Sequence, residues 1–328
     1  MSSSSPRRCP RVGRLLPGRH GPRYESCSRT GQRLARRALP GLLVLLSASL
    51  FGLPSAVAAP TLRWEVVATY RHDPQAFTQG LLLHQGMLYE STGLYGRSSL
   101  RRVEPRSGAV QRRLSLPRTL FGEGLALVDD RLIQLTWRAQ IGFVYELEGF
   151  RRIADFRYVG EGWGLTYDGE RLIMSDGSAS LRFLDPVDFR ERSRLPVFDD
   201  GRPVERLNEL EHAAGPHIAS LLAGLGVATP KPLAGKLPSK APPEASGVFG
   251  AASAEVVFAN VWQTDRVVLI DARSGQVRAQ LDFASLLTAS ERAGADVLNG
   301  LAYDPSSGEL WVTGKLWPKM FVVRLRQP

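Results

Sequence analysis

Polar and aromatic residues stand at the start of apolar, strand-like runs in this chain, where a protein core would normally hold an aliphatic side chain. Four runs open with an unusual residue followed by Gly-Leu: Gln79-Gly80-Leu81, Glu123-Gly124-Leu125, Trp163-Gly164-Leu165 and Asn299-Gly300-Leu301. The first three glycines lie 44 and 40 residues apart (124 − 80 and 164 − 124). This interval is typical of a β-propeller blade rather than of a helical repeat.

Each of these runs is followed by a turn, a second apolar run and another polar or aromatic cluster. The second clusters are Ser91-Thr92-Gly93, Thr136-Trp137-Arg138, Ser175-Asp176-Gly177 and Thr313-Gly314-Lys315. A structural repeat places equivalent positions at equivalent heights around one axis. We therefore expect these non-equivalent side chains to converge on a single site.

The remaining pattern predicts an all-β fold, because short runs rich in β-branched and aromatic residues alternate with turn dipeptides such as Asp168-Gly169 and Ser274-Gly275. We predict a five-bladed β-propeller, in which a strand near Trp64 to Tyr70 closes the ring against the last blade. The predicted four-stranded units are 64–117, 118–159, 160–205, 206–283 and 284–328. Residues 60–328 thus form one domain.

The fourth unit is lengthened by residues 213–253, a segment rich in Pro, Ala, Gly and Lys. Its composition predicts an inserted surface loop, within which Ile218 to Leu225 could form a short helix.

Residues 1–59 have the pattern of a removable signal segment. They hold ten arginines, one acid and both cysteines, and an apolar run from Leu42 to Leu53 ends in Ala56-Val57-Ala58. This run is too short for a comfortable membrane span, although an uncleaved anchor is the alternative. We expect a periplasmic or secreted protein, and the Arg36-Arg37 pair leaves the export route open.

The strong positive charge belongs to that leader. The whole chain carries 42 basic and 32 acidic residues, so residues 60–328 keep 32 and 31. Nothing there predicts binding to nucleic acid or stable membrane association, and we expect a monomer. The histidines of this part are scattered and it has no cysteine, so we predict no metal site and no cofactor.

A series of motifs resembles the plant and bacterial glutamine cyclotransferases, in order and over nearly all of residues 60–328. The longest are Asp73-Pro74-Gln75-Ala76-Phe77-Thr78-Gln79-Gly80-Leu81, Glu90-Ser91-Thr92-Gly93-Leu94-Tyr95-Gly96-Arg97-Ser98-Ser99 and Val312-Thr313-Gly314-Lys315-Leu316-Trp317-Pro318-Lys319, and the series also includes Ala259-Asn260-Val261-Trp262-Gln263-Thr264-Asp265. The resemblance implies a five-bladed propeller with acyltransferase activity. Such an enzyme converts the N-terminal glutamine of peptides or proteins to pyroglutamate and releases ammonia.

This chemistry needs no protein nucleophile, because the substrate's own α-amine attacks its γ-carboxamide. The protein must hold the bent conformer, move protons and stabilise an oxyanion. Glu123 is the candidate proton shuttle, since its repeat position faces the axis and it matches the family's catalytic glutamate. The alternative is a carboxylate that only accepts hydrogen bonds from backbone amides.

Lys315 is the candidate electrostatic partner: the chain has only five lysines, and the family match places one here. Asn208 is the third candidate catalytic residue, as an amide that could orient or donate to the substrate carbonyl. The predicted substrate-binding residues are Gln79, Phe77, Phe121, Trp137, Trp163, Trp262 and Asn299. The aromatic members could wall a small dry pocket or could belong to the blade core.

Two other functions remain open at this point. One is a metal-dependent propeller lactonase or hydrolase, in which Glu123, Asn208 and Asn299 would surround a divalent cation. The other is a non-catalytic binding propeller of the cell envelope. Five repeats rather than six and a tryptophan-lined mouth argue against the lactonase.

Overall fold

A computed structural model describes residues 58–225 and 254–328 of the chain. The chain enters through β1 (Arg63–Arg71) and then forms antiparallel sheets in succession. Blade one contains β2 (Thr78–His84), β3 (Met87–Thr92), β4 (Ser99–Val103) and β5 (Val110–Ser115). Blade two contains β6 (Gly122–Val128), β7 (Arg131–Thr136), β8 (Ile141–Glu146) and β9 (Arg152–Arg157). Blade three contains β10 (Leu165–Tyr167), β11 (Leu172–Met174), β12 (Ser180–Leu184) and β13 (Glu191–Pro196).

A hairpin of β14 (Phe198–Asp199) and β15 (Arg202–Pro203) precedes blade four. Blade four contains β16 (Leu207–Ala214), helix α1 (Pro216–Ala223), then β17 (Glu255–Val261), β18 (Arg266–Asp271) and β19 (Val277–Asp282). Helix α2 (Ala289–Arg292) leads into blade five, which contains β20 (Leu298–Asp304), β21 (Glu309–Gly314) and β22 (Lys319–Arg326). The five-bladed propeller predicted from the repeat is confirmed.

The ring is closed by the strand at the start of the described chain. β1 pairs antiparallel with β22 from Arg63↔Arg326 to Arg71↔Lys319, so the last sheet has the order β1-β22-β21-β20. Blade five therefore combines both ends of the propeller, as the pattern near Trp64 to Tyr70 predicted. Closure removes the free sheet edge that an open arrangement would expose.

Close packing of the inner strands explains the repeated glycines. A Cβ on Gly124 would lie 2.4 Å from the backbone N of Leu165 in blade three. A Cβ on Gly164 would lie 2.0 Å from the backbone O of Asn208 in blade four. Both distances are shorter than any non-bonded contact, so only glycine lets adjacent inner strands approach this closely.

β-Bulges interrupt the pairing of four of the five inner strands at the residue before the repeat position. The pairing register shifts between Thr78 and Gly80 in β2 and between Gly122 and Leu125 in β6. Equivalent shifts occur in β16 and β20, between Leu207 and Leu210 and between Leu298 and Leu301. A bulge leaves its extra residue outside the ladder and re-aims its side chain. The unpaired stretches of these inner strands contain the polar residues Gln79, Glu123, Asn208, Glu209 and Asn299.

The predicted surface loop 213–253 includes residues at its N-terminal end that belong to regular secondary structure. Residues 213 and 214 belong to β16, and the next residues form α1 with Pro216 in its first turn, where proline is favoured. Ile218, Leu221 and Leu222 have helical spacing and are buried in the core between blades four and five. Residues 226–253 lie outside the described residues, as does most of the predicted signal segment.

Within the described ranges, no helix has the length and apolar character required to cross a bilayer.

We expect Ile218→Ala to lower the free energy of unfolding by about 2–5 kcal/mol, because it removes a side chain that is 1% exposed and leaves a cavity beneath α1. Ser220→Ala, on the exposed side of the same helix, should change it by less than about 0.5 kcal/mol. Urea unfolding of both variants measures the difference. Equal effects would show that α1 is not part of the core.

Candidate active site

A cavity of about 400 Å³ opens at the end of the axis where the inner strands begin. Gln79, Glu123 and Asn208 lie near the start of the inner strands β2, β6 and β16, and Lys315 directly follows β21. The aromatic residues of the cavity lie on the connecting loops. The lining residues are Phe77, Gln79, Phe121, Glu123, Trp137, Trp163, Asn208, Trp262, Gln263, Asp296, Val297 and Lys315.

The structure brings together nine of the ten side chains that the sequence predicted for the site. The exception is Asn299, which has no exposed surface and lies behind the cavity wall rather than in it. Its repeat position is equivalent to those of Gln79 and Glu123, but its side chain contacts other amides instead of the cavity. Asn299 therefore contacts the lining residues Asn208 and Gln79 from behind.

A chain of side-chain hydrogen bonds runs through the polar half of the site. Asn208 Nδ2 donates to Asn299 Oδ1 over 2.8 Å, and Asn299 Nδ2 lies 3.3 Å from Gln79 Oε1. Gln79 Nε2 in turn donates to Glu123 Oε1 over 2.9 Å. All four residues are at most 4% exposed. The amides thus fix one another in a single orientation and present a defined donor to the carboxylate.

Burial favours the uncharged forms of both Glu123 and Lys315. Desolvation raises the pKa of Glu123 well above its usual value, although Lys315 and the hydrogen bond from Gln79 oppose the shift. Desolvation also lowers the pKa of Lys315, against the attraction of Glu123 and Asp296. Both pKa values therefore move toward the neutral range, in which a proton can be exchanged readily.

The turn that carries Lys315 is held from several sides. Lys315 N donates to Val297 O over 3.0 Å, and Leu316 N donates to Ala76 O over 2.7 Å. Lys315 Nζ lies 4.9 Å from the centre of the Phe77 ring, a cation–π distance. The backbone before Phe77 therefore positions both the lysine turn and the ring on which the lysine rests.

A buried histidine anchors the far end of the same turn. His72 Nδ1 donates to Trp317 O over 2.8 Å, and His72 Nε2 lies 3.0 Å from Glu90 Oε1. Burial opposes a charge on His72, but Glu90, the hydrogen bond to Trp317 O and Asp73 together outweigh it and raise the pKa of the histidine. Thr78 Oγ1 also donates to Glu90 Oε1, over 2.6 Å, and the carbonyl of Thr78 accepts from Asn299 Nδ2. The lysine turn and the amide chain are thus connected through blade one.

The aromatic half of the site consists of two groups of rings. Phe121 contacts Phe77 and Trp137 at centroid distances of 6.0 and 5.5 Å. Trp163 and Trp262 meet edge to face at 5.4 Å. Trp163 also packs over Gly177, whose φ of +81° and missing side chain leave room for the indole. The predicted tryptophans therefore line the mouth of the cavity and do not belong to the blade core.

Sequence reasoning missed several residues of this site. Gln263, Asp296 and Val297 line the cavity, and Glu161 accepts hydrogen bonds from two of the indoles. Gln263 lies inside a quoted motif and could have been noticed there. Glu161 is one acid among many in a turn, and no sequence signal distinguishes it.

Two further carboxyls occupy the centre of the propeller. Glu209 stands where the other blades have the repeat glycine, and it accepts hydrogen bonds from Leu81 N (3.3 Å) and Leu301 N (3.1 Å). Glu211 accepts from Tyr303 N over 2.8 Å. Burial raises the pKa of Glu211 to about 8 and that of Glu209 well above its usual value. These side chains join blade four to blades one and five across the axis.

In the described part of the chain, no three His, Cys, Asp or Glu side chains are grouped as they would be around a metal ion.

Comparison with known proteins gives one consistent family. A family model described as glutamine cyclotransferase matches residues 42–225 and 251–325. The chain is 37% identical over 268 residues to a glutaminyl-peptide cyclotransferase of Arabidopsis thaliana. The aligned region covers 80% of this chain and 71% of the relative. The crystal structure of a glutaminyl cyclase from Myxococcus xanthus is similar with a TM-score of 0.64 and 33% identity, over 82% of this chain and 99% of that one.

The central carboxyls generate a prediction about stability. Burial raises the pKa of Glu211 to about 8 in the folded protein, whereas the usual pKa of a glutamate is 4.5. The unfolded chain therefore loses this proton first as the pH rises, so the stability that the group contributes is complete below pH 4.5 and is lost by about pH 8. Glu211→Gln removes this titrating group. The slope of the free energy of unfolding against pH should therefore change by at most about 1.4 kcal/mol per pH unit, the value for one proton.

Chemical unfolding between pH 5 and pH 8 measures this slope, with the exposed Glu205→Gln as the control. The Glu211→Gln protein should gain stability relative to the parent as the pH rises. A parallel pH dependence of the two proteins would contradict the prediction.

Proposed function

This chain belongs to the glutamine cyclotransferase family, and we propose that the axial cavity is where it cyclises the N-terminal glutamine of peptides, with Glu123 as proton shuttle. Membership of the family makes it a glutaminyl-peptide cyclotransferase. The single observation that carries the assignment of the site is the buried carboxyl of Glu123, which accepts a hydrogen bond from Gln79 and lines a cavity walled by aromatic rings.

The shape and polarity of the cavity suit this substrate. A side-chain carboxamide is flat, and its faces can lie against aromatic rings such as those of Trp163 and Trp262. The remaining peptide can extend through the open mouth. Holding the γ-carboxamide close to the α-amine turns the attack into a positioned intramolecular reaction, which is worth several kcal/mol of the barrier.

Glu123 moves one proton during the reaction. The neutral α-amine attacks the γ-carbonyl carbon, a C–N bond forms and the carbonyl oxygen becomes negative. Glu123 takes the proton that the attacking nitrogen loses and delivers it to the amide nitrogen that leaves. The original C–N bond then breaks, ammonia departs and the carbonyl of pyroglutamate re-forms. A carboxyl whose pKa is raised by burial suits both halves of this transfer.

Lys315 and Asn208 support the developing charge. The amide of Asn208 uses one N–H on Asn299 and retains a second N–H that can donate to the substrate's oxyanion. Lys315 supplies positive potential beside Glu123, and its low exposure of 5% keeps that potential unscreened by water. Gln79 holds the shuttle in one orientation through its hydrogen bond.

We propose that the reaction needs no metal ion. The cation-centred alternative requires oxygen atoms of Glu123, Asn208 and Asn299 to face one point. Asn299 Oδ1 instead accepts a hydrogen bond from Asn208 Nδ2, and Asn299 lies behind the cavity wall. A lysine rather than a third oxygen ligand completes the polar group.

We also propose that the enzyme is a monomer. The sequence pattern of residues 1–59 supports a further proposal, that the enzyme acts in the periplasm or outside the cell, free of the membrane once this segment is removed.

Glu123→Gln keeps the size of the side chain but removes its ability to exchange a proton. We expect kcat for a Gln-Xaa dipeptide to fall by about 10² to 10⁴ and KM to change little, because the cavity keeps its shape. Mass spectrometry of the loss of ammonia from the dipeptide measures the rate. Glu148→Gln, whose side chain is 79% exposed, is the matched control and should retain full activity.

Near-normal turnover by the Glu123→Gln protein would show that another group moves the proton. Glu209 would be the next carboxyl to test, since it is buried in the same propeller centre.

A separate prediction concerns metal ions. The parent enzyme, dialysed against EDTA, should keep its kcat and KM for the same dipeptide, because the charges needed for the reaction come from Glu123 and Lys315. Metal content of the dialysed protein is measured alongside activity. Loss of activity that a divalent cation restores would overturn the metal-free proposal.

A further inference from the structure

Glu161 occupies an unusual position just behind the aromatic wall. Its Oε2 accepts a hydrogen bond from Trp137 Nε1 over 2.6 Å and another from Trp163 Nε1 over 3.0 Å. Its Oε1 accepts from Arg138 Nε over 2.9 Å. One carboxylate thus satisfies the indole N–H groups of two cavity-lining tryptophans that come from different blades.

This carboxylate joins the two aromatic groups into one surface. Trp137 belongs to the group that contains Phe121, whereas Trp163 packs against Trp262. Arg138 lies 3.9 Å above the Trp137 ring, so its guanidinium both pairs with Glu161 and covers the face of the indole. The shared acceptor ties the orientation of one indole ring to that of the other, in addition to the backbone hydrogen bond from Gly162 N to Trp137 O.

We propose that Glu161 is a positioning residue for this cyclisation: it clamps the indoles of Trp137 and Trp163 in the geometry that receives the substrate carboxamide, and its charge acts on Glu123. The proposal rests on the function proposed above. An indole can turn about its side-chain torsions, and each N–H bond to a charged acceptor removes that freedom. The wall is then already formed before the substrate enters, which lowers the cost of binding.

The charge of Glu161 is present under the conditions of catalysis. Burial opposes it, but the hydrogen bonds from Trp163, Trp137 and Arg138 prevail and hold the pKa of Glu161 below its usual value. The negative charge is one of the causes that raise the pKa of Glu123, after burial. Glu161 therefore adjusts the proton shuttle as well as the wall.

Other charged groups lie close to Glu123 and Glu161. Their contributions to the pKa of Glu123 have to be kept constant in a test of Glu161. Lys315 lowers the pKa of Glu123, and Asp296 lies close enough to Lys315 to raise the pKa of the lysine. Arg138 is the counter-ion of Glu161 itself. A change at Glu161 alone leaves the lysine and Asp296 in place, so its effect on the pH profile can be separated from theirs.

The test is a comparison of Glu161→Gln with the parent and with Glu170→Gln, an exposed carboxylate in the nearby turn after β10. We expect KM for a Gln-Xaa dipeptide to rise about tenfold in Glu161→Gln, with kcat within about threefold of the parent. The acidic limb of kcat/KM should move to lower pH, because a charge that raises the pKa of Glu123 has been removed. The substrate amine titrates equally with every variant, so a difference between profiles belongs to the protein.

The route through the indoles is tested with Trp137→Phe and Trp163→Phe, which keep an aromatic ring but lose the N–H. If Glu161 acts by clamping these indoles, Glu161→Gln should raise KM less in either phenylalanine background than in the parent. Full additivity of the KM effects would overturn the clamp. An unchanged KM together with an unchanged pH profile in the single Glu161→Gln protein would overturn the whole proposal.

A readout without turnover separates this inference from the proposed function. The indole N–H resonances of Trp137 and Trp163, assigned by their loss in the two phenylalanine variants, should move upfield in Glu161→Gln as the charged acceptor disappears. If the parent fails to cyclise any dipeptide but these resonances move, the proposed function fails and the clamp stands. Resonances that stay in place overturn the clamp whatever the activity.

Discussion

The structure depends on the close approach of five inner strands around one axis. Adjacent inner strands meet where a Cβ on Gly80 would lie 2.6 Å from the Leu125 amide nitrogen, and the same holds at Gly124 and Gly164. A larger side chain at these points would push the blades apart. The same narrow ring brings Gln79, Glu123 and Trp163, which precede these glycines, to the lining of one cavity. The close packing of the inner strands and the arrangement of the cavity-lining residues therefore depend on the same glycines.

Blade four is the exception to the glycine at this repeat position. It carries Glu209 in place of glycine, and its carboxyl reaches the amides of Leu81 and Leu301 in two other blades. Backbone N–H groups on the inner edge of a propeller have no ladder partner, and a buried donor without a partner is costly. Glu209 supplies acceptors for two of them. The interaction joins three blades but requires a carboxyl far from water, as its raised pKa reflects.

Burial has opposite consequences for the parts of the site. For Glu123 and Lys315 it moves both pKa values toward neutrality, which favours proton transfer. For Glu161 the three donors outweigh burial and keep the carboxylate charged. Since charges interact more strongly in a buried cavity than in water, differences in hydrogen bonding decide which carboxyl has a raised pKa and which one keeps its charge. The amide chain from Asn208 to Gln79 adds rigidity without adding charge.

The sequence by itself determined the architecture and most of the site. The repeat spacing gave five blades, the pattern near Trp64 to Tyr70 gave the ring closure, and the position before each Gly-Leu identified Gln79 and Glu123, because a periodic fold converts sequence spacing into position. Tertiary structure alone decided that Asn299 lies behind the wall, that α1 is part of the core, and that Glu161 links two tryptophans. These outcomes depend on bulges, side-chain directions and contacts between distant segments. Such features have no periodic signature, so only the packed fold reveals them.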